Sequence, residues 1–280
     1  MKIKNLIDWL KTHPVANFII LLAYFFLVVL PHEWIGAHIN AILSPLGRAR
    51  FNLIILSLAL FLIVIAIYFF RDYWKRYPFK RKLIPYLLGS LILLGICFEI
   101  LFILNLEFVH IPQYAIFIIL AYPLMKNIIS TMFLATSCGI LDELYQYVIL
   151  TPHINKYFDF NDVFIDQIGA GIGLMLIVIM GYKDRKLSLG SMVKDPGVLS
   201  LVGLAFVFII GWVAGSFSIY DPTGTDVFTL IKEHPSDYWT RPPGPPASFH
   251  RLNLWEAIIC ISTAIVFYGS MHKLNKSNLD

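Results

Sequence analysis

Apolar residues along this chain come in long unbroken runs, not in the stripes of period 3.6 that mark a soluble helix with one wet face. Eight such runs can be drawn, at 15–30, 51–70, 83–104, 111–125, 128–150, 163–182, 198–216 and 254–271. A helix needs about 20 residues to cross a bilayer at 1.5 Å per residue. The pattern therefore predicts an all-α fold, a polytopic bundle of about eight transmembrane helices. The first and fourth runs are short as drawn. The fourth is expected to begin near His110 and to end or kink at Pro123 in "YPLMK", because proline removes a backbone donor and crowds the turn before it. The first follows basic residues, as a signal peptide does. No small-residue cleavage site follows "LVVLPHEW", so it reads as a retained anchor. A transmembrane β-barrel would show short alternating segments, and none is visible.

Composition agrees. The chain is 58% hydrophobic and only 14% charged, where a soluble domain averages about 25% charged. Charge then orients the bundle. With eight spans and the N-terminus inside, sixteen of the 22 Lys and Arg fall on the inner side and six on the outer. The largest inner cluster is "RDYWKRYPFKRK". Positive residues collect on the cytoplasmic side, so both termini are expected in the cytoplasm of a cell-membrane protein. The turn at 126–127 is the shortest connection this topology demands. Three organisational units follow: N-terminal spans at 1–82, a core at 83–182, and a C-terminal span pair at 183–280 with an outer loop at 217–254. Cys97, Cys138 and Cys260 all lie in apolar runs. Their odd number and wide spacing support neither a disulfide framework nor a zinc knuckle. The basic clusters beside the spans suit anionic headgroups, and no nucleic-acid module is present.

Polar residues are concentrated toward the outer ends of the fourth, fifth and sixth spans. In "GILDELYQYVIL" the residues Thr136, Gly139, Glu143 and Gln146 fall on one helix face, and Asp142 can reach Gln146 at i+4. In the sixth span Asp162, Asp166, Gly169 and Gly173 form a matching stripe. "GAGIG" there offers a small-residue surface for close packing, expected against the small face of the fifth span. The fourth span adds Glu107, His110, Gln113 and Tyr114 from "EFVHIPQYA". Alternating span directions put all these groups on one membrane side, so acid, amide and imidazole are expected to converge. Glu99 in the third span is a further candidate partner for His110, since an ionisable residue at that depth normally faces the bundle interior. Each piece also has a plain reading. Asp162 could serve only a helix N-terminus, His110 could be an interfacial residue, and Glu143 with Gln146 could be interhelical glue.

The three segments "EFVHIPQYA", "GILDELYQYVIL" and "FNDVFIDQIGAGIGLML" resemble the pattern of the VanZ-like family in order and spacing, over roughly residues 83–182. The matching positions are His110, Gln113 and Tyr114; Asp142, Glu143 and Gln146; then Asp162, Gly169, Ala170 and Gly173. Two departures stand out. The loop "VILTPHINKYFDFND" lacks the arginine of the pattern, with His153 or Lys156 as stand-ins for its charge. Asp166-Gln167 stands where the pattern has Asn. The resemblance implies a cell-envelope protein linked to low-level resistance to the glycopeptide antibiotic teicoplanin.

Three functions compete. In an enzyme, Glu143 and Asp162 would act as acid and base, with His110 as proton shuttle or electrophile. Gln146, Asp142, Gln113, Tyr114 and Asp166 would line the substrate site. The substrate would be a lipid or lipid-linked envelope precursor, and the reaction hydrolysis or group transfer. Paired carboxyls can split their affinities for a proton, which suits such work. A binding or accessory protein would grip a headgroup with the same cluster. A proton-coupled transporter is disfavoured because polar residues do not continue to the inner side and no internal repeat is visible. No cofactor is expected. The carboxyls could hold a divalent metal, but no ligand set has diagnostic spacing. In "PHEWIGAHIN" the second histidine of a zinc-protease helix is replaced by Gly36. "SPLGRAR" is not a phosphate loop, and no Gly-x-Ser-x-Gly elbow occurs. The outer loop 217–254 reads as a turn followed by a proline-stiffened strap, either a lid over the cluster or a passive connector, with Trp239 and Trp255 as interfacial anchors.

Overall fold

The computed structural model describes residues 2–46, 48–78, 80–102, 105–150, 156–185, 189–221, 228–233, 238–240 and 249–276. Among the described residues, eight helical stretches are long and apolar enough to cross a membrane: Pro14–Leu43, Leu53–Arg76, Arg81–Leu101, Leu106–Met125, Ile128–Leu150, Phe160–Ile179, Pro196–Val213 and Leu254–Leu274. The chain is an all-α, multi-pass bundle. Its α-helices in order are α1 (Lys2–Thr12), α2 (Pro14–Tyr24), α3 (His32–Leu43), α4 (Arg48–Arg76), α5 (Lys80–Ile96) and α6 (His110–Met125). They continue with α7 (Ile128–Tyr145), α8 (Phe160–Ile179), α9 (Leu189–Met192), α10 (Pro196–Val213), α11 (Leu254–Gly269) and α12 (His272–Lys276).

Helix α8 is the hub. It is buried along most of its length and packs against α6, α7, α11 and α5. Helices α4 and α10 lie on the rim, with Leu60, Phe61, Val64, Phe206, Val207 and Trp212 exposed. Water would make such faces costly; hydrocarbon does not.

Close packing of α6 on α8 is set by two glycines. A Cβ at Gly169 would lie 2.8 Å from the Ile111 carbonyl oxygen, and one at Gly173 would lie 2.7 Å from that of Ala115. The small-residue stripe of α8 thus faces α6, not the fifth span as its pattern suggested. The face of α7 meets α8 through side chains instead: Thr136 Oγ1 donates to Gln167 Oε1 at 3.0 Å. Gly139 leaves room for Asp166, whose Oδ2 would be 2.8 Å from a Cβ there.

Three further departures from the expected elements have local causes. Pro123 does not end the fourth span; α6 runs two residues past it and stops where Lys126 turns left-handed at φ 56°. Lys126 N–H donates back to Tyr122 O, and Asn127 caps α7 by accepting from Ser130 N–H. Those two residues make the whole 126–127 turn, so the shortest connection is also a well-bonded one. The first span does not finish at Leu30 either. Its polar residues end the apolar run but not the helical path, which resumes at His32 and continues to Leu43. Finally, the cap of α8 is Asp159, which accepts from Asn161 N–H, leaving Asp162 free of that duty.

Three spans loosen into a single π turn at the same end of the bundle, at Phe25–Val29, Cys97–Leu101 and Gln146–Leu150. A π turn leaves a backbone carbonyl without its usual i+4 donor. Side chains from neighbouring elements occupy two of these turns. Gln113 Nε2 donates to Val28 O and Val29 O at 3.0 and 3.2 Å, and Asn161 Nδ2 to Leu101 O at 3.2 Å. The opposite end carries basic and aromatic groups, with Lys11 Nζ 3.8 Å from the Tyr182 ring centre and Arg185 paired to Asp195 at 2.6 Å.

The segment after α10 forms two short strand pairs. Strand β1 (Phe217–Tyr220) pairs parallel with β2 (Phe228–Ile231), and β3 (Trp239–Thr240) antiparallel with β4 (Phe249–His250). The turn expected at "DPTGTD" and the strap "RPPGPPAS" fall mostly outside the described residues. What is described lies against the π-turn end. Tyr157 bridges Ile231, its hydroxyl donates to Leu252 O at 2.7 Å, and Asn161 Oδ1 accepts from Leu252 N–H at 2.9 Å.

Candidate functional site

The π-turn end holds the polar cluster. Its centre is the His110 ring at the start of α6, buried to 2% exposure. Its Nδ1 lies 2.9 Å from Asp166 Oδ1, and its Nε2 lies 3.5 Å from Asp162 Oδ2, both on α8. The same Nε2 lies 3.2 Å from the Nε2 of His32, at the start of α3. The two rings meet edge to face with centroids 4.5 Å apart. His32 Nδ1 donates to Val29 O at 2.6 Å, a carbonyl of the first π turn, and stands 3.5 Å from Asp142 Oδ2. Asp142 is fully buried and has the Gln146 side chain as a hydrogen-bonding neighbour, as the i+4 spacing implied. Glu143 is buried too, and its Oε1 accepts from Gln146 Nε2 at 2.8 Å.

This end holds a cavity of about 310 Å³, whose lining includes His32, His110, Glu143, Gln146, Asp159 and Asp162, together with Glu33, Gly36, Glu107 and Arg251. Of the residues singled out from the sequence, His110, Glu143, Gln146 and Asp162 reach the cavity. Asp142 and Asp166 stand behind the imidazoles. Tyr114 lies deeper, fully buried, with its hydroxyl turned to Asp166 over Gly139. Gln113 faces away from the cavity and ties α6 to the first π turn, while its carbonyl accepts from Tyr24 Oη at 2.9 Å. Glu99 does not join the cluster: it is exposed on the bundle surface, and the places beside His110 are taken by His32, Asp162 and Asp166. Lys156 pairs instead with Glu233 at 3.3 Å on the exposed surface, and His153 lies outside the described residues.

No protein-family model, curated protein or solved structure matches this chain. The reading of the site therefore rests on its own geometry.

Several cavity residues escaped the sequence reading, among them Asp159, His32 and Arg251. His32 was weighed only as part of a zinc-protease helix, whose second ligand must come four residues later; its actual neighbour is 78 residues away on another span. Its position just beyond the outer end of the first span was the available signal. Arg251 belongs to the outer segment and reaches the cavity because Asn161 ties Leu252 and His250 down. Burial raises the Asp159 carboxyl above its ordinary value, and the Arg251 charge works against that rise.

Proposed function

We propose that this chain is a membrane-embedded enzyme of the cell envelope, hydrolysing or transferring a group from a lipid or lipid-linked precursor that enters from the outer leaflet. The observation that carries the reading is the cavity that Glu143, Asp162 and His110 line together, with His110 3.5 Å from Asp162 and an orienting carboxyl, Asp166, behind the imidazole. Glu143 and Asp162 act as the acid and base pair, His110 relays the proton, and Gln146 holds Glu143 in place. Asp166 fixes the ring orientation as a positioning residue. The outward sidedness is supported by the excess of basic residues on the inner segments, and the envelope link by the VanZ-like resemblance of residues 83–182. Both termini then lie in the cytoplasm.

The test is turnover of envelope lipid extracts by the purified chain, followed by mass spectrometry, beside teicoplanin susceptibility of cells expressing it. Glu143→Gln and Asp162→Asn are expected to abolish conversion, by 10²-fold or more for a lost general acid or base, while lipid affinity stays within a few-fold. A binding protein would show the reverse: no converted species from the wild type, and affinity lost with either substitution.

A further inference from the structure

The geometry points to a divalent transition-metal site, best suited to zinc, formed by His32 Nε2, His110 Nε2 and the Asp162 carboxylate at the cavity wall. The inference concerns binding and holds whether or not the cavity turns a substrate over.

Proton placement starts the argument. A backbone carbonyl can only accept, so His32 Nδ1, at 2.6 Å from Val29 O, carries the hydrogen. An Asp166 carboxylate at 2.9 Å likewise holds the hydrogen of His110 on Nδ1. In the neutral rings both Nε2 atoms then present lone pairs, and they do so toward each other at 3.2 Å. Two lone pairs at that distance repel unless something positive stands between them. Two imidazole nitrogens bound to one tetrahedral zinc at ~2.0–2.1 Å would be about 3.3 Å apart. The Asp162 oxygen, 3.5 Å from His110 Nε2, sits at nearly the spacing a third ligand requires from that ring, and its side chain would turn toward His32 to complete the set.

The surroundings match what metal-bound histidines need. Each ligand ring donates its other N–H to a fixed acceptor, a carboxylate for His110 and a backbone carbonyl for His32, the arrangement that fixes tautomer and orientation. Asp142 lies behind His32, fully buried, with its Oδ2 3.5 Å from His32 Nδ1. One donor atom from each of His32, His110 and Asp142 lies within 4.8 Å of the others. Asp162 does not meet that spacing as placed, but we assign the third ligand to it, because Asp142 approaches the ring nitrogen already given to Val29 and Asp162 lines the cavity beside His110. Three protein ligands leave a fourth position open to the cavity, the pattern of catalytic rather than structural zinc.

A shared proton between the imidazoles is the competing account, and elemental analysis separates the two. The full-length chain purified in detergent is expected to hold roughly one zinc per chain, and X-ray absorption at the zinc edge should count two imidazole nitrogens. Cobalt added to the stripped protein should give visible bands of four-coordinate intensity. His32→Ala and His110→Ala should lose both metals, Asp166→Asn should bind about 10–100-fold more weakly, and Glu99→Gln should be unchanged. Substoichiometric zinc with no cobalt bands in the wild type would overturn the site, leaving the proton account. So would an absorption spectrum without two imidazoles, a measurement on the wild type that does not depend on any variant folding. Loss of turnover with metal retained would count against the catalytic reading alone.

Discussion

His110 receives its neighbours from three directions, and the most telling is Asp166. As a residue in the sequence it looked like a misfit, an acid one turn too deep for capping and standing where the resembled pattern has an amide. In the structure it is the closest partner of the imidazole, at 2.9 Å. It fits only because residue 139 has no side chain. Gly139→Ala is therefore expected to displace the Asp166 carboxyl, with a Cβ 2.8 Å from its Oδ2, and to cut activity about as deeply as Asp166→Asn while leaving the fold intact by circular dichroism. Retained activity in Gly139→Ala would separate Asp166 from the site. At this scale the chemistry of single residues was readable: His110, Glu143, Gln146 and Asp162 reach one cavity as their helical spacing implied. Glu99 and His32 were misjudged for one reason. Depth along a span says that a polar group needs company, but the rotation of the helix, which spacing within one span does not reveal, decides whether it faces the bundle. Glu99 turns outward; His32 turns in.

Helices tell a similar story about what a pattern contains. The small-residue stripe of α8 announced a close contact without naming its partner, and α6 took the place expected for α7. A substitution series checks this at the level of the packed element. Gly169→Ala drives a methyl group to within 2.8 Å of the Ile111 carbonyl oxygen, a backbone atom that cannot swing aside. It should cost about 1–3 kcal/mol, the usual range for overpacking, read as a fall in the detergent melting temperature. Gly203→Ala on α10, where nothing lies within 4 Å of the added carbon, should be neutral or stabilise by up to about 1 kcal/mol through helix propensity. Equal effects would mean that α6 and α8 do not approach as described. The eight spans themselves were legible because a bilayer-length apolar run leaves few alternatives. The π turns were not, since nothing in "FFLVV" or "CFEIL" separates a π turn from an α turn.

On the scale of the whole molecule, the outer segment is fastened to the end of the bundle that carries the cavity, through Asn161, Tyr157 and the capping box of Asn253 and Glu256 at the start of α11. It thereby brings Arg251 beside Asp159. Burial raises the Asp159 carboxyl above its ordinary value of 3.8. Its own contribution to stability is thus fully present below that value and is lost as the pH climbs through the raised one. The attraction to Arg251 exists only while Asp159 is ionised. Arg251→Ala should accordingly lower the melting temperature at neutral pH and have progressively less effect as the medium is acidified through the raised value. A destabilisation of the same size at every pH would show that Arg251 acts by packing alone. The π turns carry a last implication for this end of the protein. Each holds one residue more than the α turn it replaces, so a single-residue deletion there closes into regular winding with little change of direction, whereas a further inserted residue has no slack to take it up and would rotate everything beyond it by about 100°. At the first of them, that rotation would carry the His32 ring out of reach of its partner. Length along α2 and α3 is therefore constrained in one direction: the path tolerates the loss of a residue at the π turn but not the gain of one.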